Sequence, residues 1–306
     1  MFDVISIGSA LVDIFIHSAG FKSTETEHGK QLCQSYGDKI EVDKFAVYTG
    51  GGASNTAVAF ARMGFNAGII CETGRDRLSY LVMQDLRDND VDTRMVIEEK
   101  KEQTGGSVIL VSEEGERTVM VHRGASSLLD PFDISSYWLT QTQWVHLSSI
   151  SGREAVLHKI FSAIAGSDYV KLSWNPGKAE LAMLTENKIK AEDVPCQVFF
   201  VNQREWDQLS SIHQQLLKTY PQIIVTKGKH GGEVYLDGSH SFHFDANGQQ
   251  AVDATGAGDS FASGYVSGQL LRKSPHDSVQ IGVNNAGSVI QFFGAKAGLL
   301  TRDRIT

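Results

Sequence analysis

Cysteine is scarce: Cys33, Cys71 and Cys196 are the only three in 306 residues. Their number is odd and no Cys-x-x-Cys spacing occurs, so neither a disulfide framework nor a cysteine-built zinc site is indicated, and a reducing, cytoplasmic setting fits. Basic blocks are equally absent. The net charge is −8, so no global positive field attracts a phosphate backbone, and nucleic acid is not an expected partner. An acidic chain can still take an anion where backbone N–H groups or bound cations supply local positive potential. The opening "MFDVISIGSALVDIF" is apolar but carries Asp3 and Asp13 and no basic start, which argues against a signal peptide or a membrane span and for a first buried strand. Also lacking are the phosphate-loop pattern Gly-x-x-x-x-Gly-Lys followed by Ser or Thr, a third glycine after Gly256-Ala257-Gly258, a His-Glu-x-x-His pattern, internal repeats and low-complexity tracts, which leaves Walker-type ATPase and Rossmann dehydrogenase weak readings. His240 and His243 form the nearest histidine pair, in a segment that reads as a surface hairpin rather than a metal site.

What is present is an ordinary globular composition, 41% apolar and 21% charged, in a length that suits one large α/β domain with a small elaboration. Short β-branched or aromatic runs recur: "VISIG" from Val4, "AGIIC" from Ala67, "WVHLS" from Trp144, "YVKLSW" from Tyr169, "QVFFVN" from Gln197 and "QIIVTKG" from Gln222. Runs apolar on both faces suit strands covered by helices on either side. Helical patterns lie between them. Residues 54–63 are alanine-rich and stop at Gly64, and Ser274-Pro275 opens a segment with Val279, Val283, Ala286 and Ile290 on one face. The fold class expected is therefore α/β, a doubly wound, mostly parallel sheet, over a single domain spanning 1–306. Two stretches break the alternation, residues 13–48 and 104–121. The second reads as a hairpin around "EEGE" at 113–116. Together they predict a small separate sheet beside the main domain, a lid, whose outer face needs a partner and makes a homodimer the expected assembly.

Two glycine clusters carry the chemistry. In "DATGAGDSF", residues 253–261, Gly256, Ala257 and Gly258 precede a helix on which Ala262, Val266 and Leu270 recur at four-residue spacing. A helix start with free N–H groups and no side-chain obstruction is a ready anion site. The carboxylate of Asp259 in the same turn would weaken anion binding. It makes sense if a phosphoryl group meets a hydroxyl there whose proton the carboxylate accepts, and equally as a plain helix-start acid. In "TGGGASNTAVAFARMG", from Thr49, Gly50, Gly51 and Gly52 precede a small-residue helix with Asn55 in its first turn. Such a start admits a polyhydroxyl ligand whose vicinal hydroxyls Asn55 can bond, or is simply a tight turn capped by Asn55.

With both clusters in this order, the chain resembles the ribokinase-like, PfkB-type carbohydrate and nucleoside kinases over essentially its whole length. The family's Asp-x-x-Gly-Ala-Gly-Asp loop stands as "DATGAGD", and its Gly-Gly pair, Asn and alanine-rich helix as "GGASNTAVAFARMG". The resemblance implies ATP and Mg²⁺, with Asp259 as the base and the amides of Gly256, Ala257 and Gly258 as the anion hole. It implies an acceptor site at Asp13, Gly51, Gly52 and Asn55, and a magnesium and phosphate environment at Asn202 and Glu205 of "NQRE". Thr226, Gly228 and Gly231 of "TKGKHGG" stand for the family's nucleotide loop, Asn175 for a phosphate-side contact and Asn284 for the adenine border. K⁺, which activates parts of the family near the loop of Asp253 and Thr255, is left open. Two departures stand out: "SWN" at 173–175 lacks the aspartate of the family's Asp-x-Asn, and Gly74-Arg75-Asp76 replaces Gly-Asp-Asp. Three functions follow from the resemblance: a kinase of a ribose- or fructose-like sugar, an adenosine-type nucleoside kinase whose base would stack on Phe15, Tyr36 or Phe45, and a non-catalytic ligand-binding member of the fold. The partner in each is a small molecule. Neither membrane nor nucleic acid is expected.

Overall fold

A computed structural model describes residues 1–27, 29–34, 36–99, 101–112 and 117–306. Its centre is a nine-stranded sheet built from β1 (Phe2–Ile7), β6 (Ala67–Thr73), β7 (Val96–Glu98), β10 (Thr142–Leu147), β11 (Lys171–Trp174), β12 (Cys196–Asn202), β13 (Gln222–Thr226), β14 (Gly232–Leu236) and β15 (Ser239–Phe244). The order is β15-β14-β13-β12-β11-β10-β1-β6-β7. All pairs are parallel except the β13–β14 and β14–β15 hairpins at one edge. The six expected runs form β1, β6, β10, β11, β12 and β13.

Why the runs are apolar on both faces is visible in how alternate residues sort. Ile5, Ile7, Val145, Leu147, Leu172, Trp174, Phe199 and Val201 join one core with α3 (Ser136–Thr140), α4 (Glu154–Ala165), α5 (Lys178–Thr185), α6 (Gln203–Gln208) and α7 (His213–Thr219). Their neighbours Val4, Trp144, Val198, Phe200 and Ile224 face the other way, toward α1 (Gly52–Arg62), α8 (Ala257–Leu270) and α9 (Pro275–Val289), with α2 (Arg77–Asp88) packed alongside α1. A strand with period-two side chains and helices on both faces can carry no polar face, so the sequence shows continuous runs. Helix limits follow local rules. Gly64 at φ 79° ends α1, and the Ser274 hydroxyl accepts the Asp277 N–H at 3.1 Å with Pro275 in the first turn of α9.

The two interrupting segments form a second sheet, ordered β5-β2-β8-β9, from β2 (Leu11–His17), β5 (Lys44–Gly50), β8 (Gly106–Val111) and β9 (Arg117–His122). β3 (Ser23–Thr26) and β4 (Gly29–Leu32) add a two-stranded ribbon. The 113–116 turn of the expected hairpin lies outside the described residues, although β8 and β9 pair antiparallel on either side of it. The register of this sheet separates two faces. Asp13, Phe15, Tyr48, Ser107, Ile109, Arg117, Val119 and Val121 share one, and Ile14, Ile16, Phe45, Val47, Val108, Leu110 and Met120 share the other.

Candidate active site

α8 begins where the main sheet meets the second sheet. Its cap, Gly256, sits at φ 74°, and a β-carbon there would collide with the Ala295 side chain, so only glycine fits. Gly258 is the opposite case: a β-carbon would meet nothing within 4 Å, because the residue lines an open cavity. Of the loop amides, that of Ala257 donates to the Ala254 carbonyl at 3.3 Å. The approach is fixed by Asp253, whose Oδ1 accepts Thr255 N at 3.0 Å, Thr255 Oγ1 at 2.7 Å and Arg117 of β9 at 3.1 Å, and whose Oδ2 accepts Gly294 N at 3.0 Å. Asp259 stands one turn further in and accepts a hydrogen bond from Asn55 Nδ2 at 2.7 Å. Burial pushes its carboxyl up to about 6, against the pull of the Asn55 bond and of the Lys296 charge. An acid held near neutrality can both lose and regain a proton in the working range.

The first glycine cluster is built differently. Gly51 sits at φ 95°, and a β-carbon would press on the Ser9 carbonyl oxygen at 2.5 Å. Ser9 also takes the helix-start donors: Gly52 N bonds its hydroxyl at 3.2 Å, and Ala53 N and Ser54 N bond its carbonyl at 3.1 and 3.3 Å. The main-chain donors of α1 are thus satisfied internally. What remains is the side chain of Asn55, whose Nδ2 is on Asp259 while its buried Oδ1 has no partner. Gly52 keeps this space open, since a β-carbon would sit 2.7 Å from Ser148 Oγ and 3.7 Å from Asp259 Oδ1. Asp13 faces the same region from β2. Its Oδ1 accepts the Ser107 hydroxyl, and burial raises its carboxyl above the ordinary range. Asp259, Asn55, Gly52 and Asp13, spread over 247 positions of sequence, therefore converge between the two sheets.

On the other side of the Gly258 backbone lies a cavity of about 500 Å³, lined mainly by apolar groups. Thr226, Gly228 and Gly231 border it. Gly228 and Gly231 take φ 57° and 72°, and a β-carbon on Gly231 would strike the Phe244 carbonyl. Phe244 and Phe261 stack at 5.3 Å on one wall, and Val283, Ala286, Gly287 and Ile290 supply the α9 wall. A flat apolar slot beside a glycine turn suits a purine ring with its phosphates on the loop.

Four expected residues do not line this cavity. Asn284 lies one position from Val283 but on another face of α9, exposed, its oxygen accepting Gln280 Nε2 at 3.3 Å. Asn175 bonds the Phe200 carbonyl at 3.0 Å. Asn202 and Glu205 form the capping box of α6, with Asn202 Oδ1 accepting Glu205 N at 3.0 Å and Glu205 Oε2 accepting Asn202 N at 2.8 Å. They do stand at the sheet's carboxyl edge, where Asn202 pairs with Thr226 across β12 and β13, so the two pairs share an edge without sharing the cavity wall. Ser173, where the sequence lacks an aspartate, points inward, accepting Trp144 Nε1 at 2.9 Å and lying 2.7 Å from His146 Nδ1. His146 is fully buried and depressed to about 3, hence neutral. Of the aromatic residues considered for stacking, Phe15 is buried edge-on between Tyr48 and Phe293, Phe45 is on the outer face of the second sheet and Tyr36 is fully exposed.

The profile of the pfkB family carbohydrate kinases matches residues 1–302. The chain belongs to that family. A ribokinase of Staphylococcus aureus is 26% identical over 316 residues, covering 97% of this chain and 96% of the relative. Among solved structures, a nucleoside kinase of Methanocaldococcus jannaschii superposes with TM-score 0.81 at 21% identity, over 99% of this chain and 96% of that one. The Arabidopsis thaliana ribokinase complexed with ribose and ATP superposes with TM-score 0.78 at 18% identity, over 99% and 97%. The ribokinase-like fold, a mostly parallel sheet with a smaller lid sheet, is therefore that of a pfkB-family phosphotransferase acting on an alcohol group. Residues that motif reading missed are Lys229, which borders the cavity, Arg117, which bonds Asp253 from the lid, and the buried Lys296. Lys229 stands within "TKGKHGG" but at a variable position of that loop, whereas Arg117 and Lys296 lie outside every glycine signature and become visible only where the lid and the segment after α9 meet the site.

Proposed function

We propose that the protein is an ATP-dependent sugar kinase that transfers the γ-phosphoryl group to a hydroxyl of a ribose- or fructose-like sugar, with Asp259 as the general base. The observation that carries this reading is the Asn55–Asp259 hydrogen bond of 2.7 Å, which ties the start of α1 to the loop that borders the apolar cavity. It leaves Asp259 beside the Gly258 backbone on one side and beside the unpartnered Asn55 Oδ1 on the other. The ionised carboxylate accepts the acceptor hydroxyl's proton as its oxygen attacks the γ-phosphorus in line. The bond from that phosphorus to the bridging oxygen breaks, and ADP leaves. The amides of Gly256 and Gly258 face the charge on the moving phosphoryl group, joined by that of Ala257 once it exchanges its 3.3 Å bond to the Ala254 carbonyl for the phosphate. Asp13 and Asn55 hold further acceptor hydroxyls, with Gly51 and Gly52 leaving them room. Thr226, Gly228 and Gly231 hold the nucleotide.

A sugar is favoured over a nucleoside because neither Phe15 nor Phe45 nor Tyr36 offers an open ring face to the acceptor chamber. Retention of Asp259, its glycine loop and Asn55 together favours a working enzyme over a binding protein. Mg²⁺ enters with ATP as part of the substrate. Among the described residues no group of three or more His, Cys, Asp and Glu could hold a metal alone, so Asn202 and Glu205 would act through water and phosphate oxygens. Burial raises the Glu205 carboxyl, a state that an approaching cation would reverse. At the loop proposed for K⁺, the Asp253 carboxylate is already engaged by Arg117, Thr255 and Gly294, and the Arg117 charge disfavours a second cation beside it.

The apolar outer face of the lid supports a homodimer: Phe45 is 62% exposed and Met120 52%, beside Ile14, Ile16 and Val47. Phe45→Asp should shift a sedimenting dimer to monomer, whereas an unshifted dimer removes the lid from the interface. No helix among the described residues is long and apolar enough to cross a membrane.

The test of the reaction is ADP release with Mg-ATP over a panel of pentoses, hexoses and nucleosides, with Asp259→Asn beside the wild type. The variant should lose at least ~10²-fold in kcat while still binding ATP. Near-normal turnover would overturn the base assignment, and turnover on nucleosides alone would overturn the sugar.

A further inference from the structure

Lys296 lies in the loop after α9, outside every motif, and is 7% exposed. A buried ammonium is costly unless each of its three donors is used. Here all three are: Nζ bonds Thr49 Oγ1 at 2.8 Å, Ser54 Oγ at 2.6 Å and Asp85 Oδ2 at 2.6 Å. Thr49 itself donates to Asp85 Oδ2 at 2.6 Å. Two of these partners flank Gly50, Gly51 and Gly52, and Ser54 is the residue before Asn55. A single charge therefore fastens both ends of the loop that presents Asn55 to Asp259.

A neutral hydrogen-bonding residue could fasten the loop without the desolvation cost that a cation carries. The cation's field reaches further, and it acts on Asp13 and Asp259 alike. The other charged or titratable groups around it are Asp85 of α2, Arg62 of α1, whose guanidinium bonds the Lys296 carbonyl at 2.8 Å, Asp13 of β2 and Cys71 of β6. Cys71 is pushed up to about 12 by burial and stays a neutral thiol. Beyond Asp13 lies Asp253, already paired with Arg117. Burial pulls the Lys296 amine down and Asp85 pulls it back up.

Resting on the kinase reading above, we propose that Lys296 is a positioning residue of the acceptor site, clamping the Thr49–Ser54 loop that presents Asn55 to Asp259 and holding a buried positive charge behind it. Its removal raises the pH at which the base becomes active. The test is the pH profile of kcat/KM. Lys296→Met should move the acid limb up by about half a unit to one unit, less than a directly paired cation would. Lys296→Arg, which keeps the charge, should return the limb to its wild-type position even where the larger head lowers kcat. A folded Lys296→Met with an unmoved limb overturns the proposal. If Lys296→Met does not fold, Lys296→Gln carries the test: it can keep hydrogen bonds to the loop while losing the charge, so the limb should again move up, and an unmoved limb overturns the proposal. Failure of the base assignment itself is separately visible, since Asp259→Asn would then keep its turnover whatever Lys296 does.

Discussion

The two glycine-rich helix starts look alike in sequence and are used in opposite ways. At α1 the first donors are spent on Ser9, so the glycines serve a backbone fold-back and the side chain of Asn55 is what reaches Asp259. At α8 Gly258 lies open to the cavity beside the Asp259 carboxylate, and the proposed transfer draws on both. A glycine signature thus marks a place where a side chain is forbidden. Whether a ligand or a neighbouring strand forbids it is a question of tertiary packing.

Substitutions can break this comparison, and the largest contrast is between Gly51→Ala and Gly258→Ala. The first forces a side chain onto φ 95° and against the Ser9 carbonyl, which costs ~1–3 kcal/mol from the backbone alone and should lower the thermal midpoint clearly. The second meets no atom within 4 Å, so stability should hold. Its methyl intrudes on the phosphate side, raising KM for ATP roughly 5-fold, the equivalent of one lost hydrogen bond. Equal losses of stability in both would mean that the two starts are both packing devices.

Next in size is the effect of pH on stability. The Asp259 carboxyl is raised to about 6 from an ordinary 3.8. Between those values the folded state holds its proton more tightly than the unfolded state, so stability falls as pH rises through the window. The thermal midpoint of Asp259→Asn, neutral throughout, should gain on the wild type from pH 4 to above 6 and then level. A constant difference would mean that Asp259 is not strained by burial. The smallest expected effect concerns the approach to the same loop. Because Arg117 already bonds the Asp253 carboxylate at 3.1 Å, kcat should agree within error in K⁺ and Na⁺ buffers, and strong activation by K⁺ would break that expectation.

Much of this architecture is legible in the chain. Val4–Ile7 or Val198–Val201 can be strands of a sheet covered on both faces and little else, because both parities are apolar. Gly64 and Ser274-Pro275 end and begin helices by local backbone preference alone. "DATGAGD" carries its glycine turn and the proposed base within seven residues. Asn284 shows the limit: a helical position near a pocket in sequence turns away from it, because one residue along a helix is about 100° around it. Asn202 and Glu205 show another, since residues three apart at a helix start satisfy each other as readily as they serve a ligand.

By itself, the sequence determined the doubly wound sheet, the interrupting lid segments and the family signature that makes Asp259 the proposed base, since each depends on periodicity or on a contiguous motif. Only the tertiary structure decided that Ser9 takes the donors of α1, that Arg117 reaches Asp253 from the lid and that Lys296 lies buried between Thr49, Ser54 and Asp85. These contacts join residues 43 to 247 positions apart. Each depends on where two separately folded segments close together, and no local preference of the backbone encodes that.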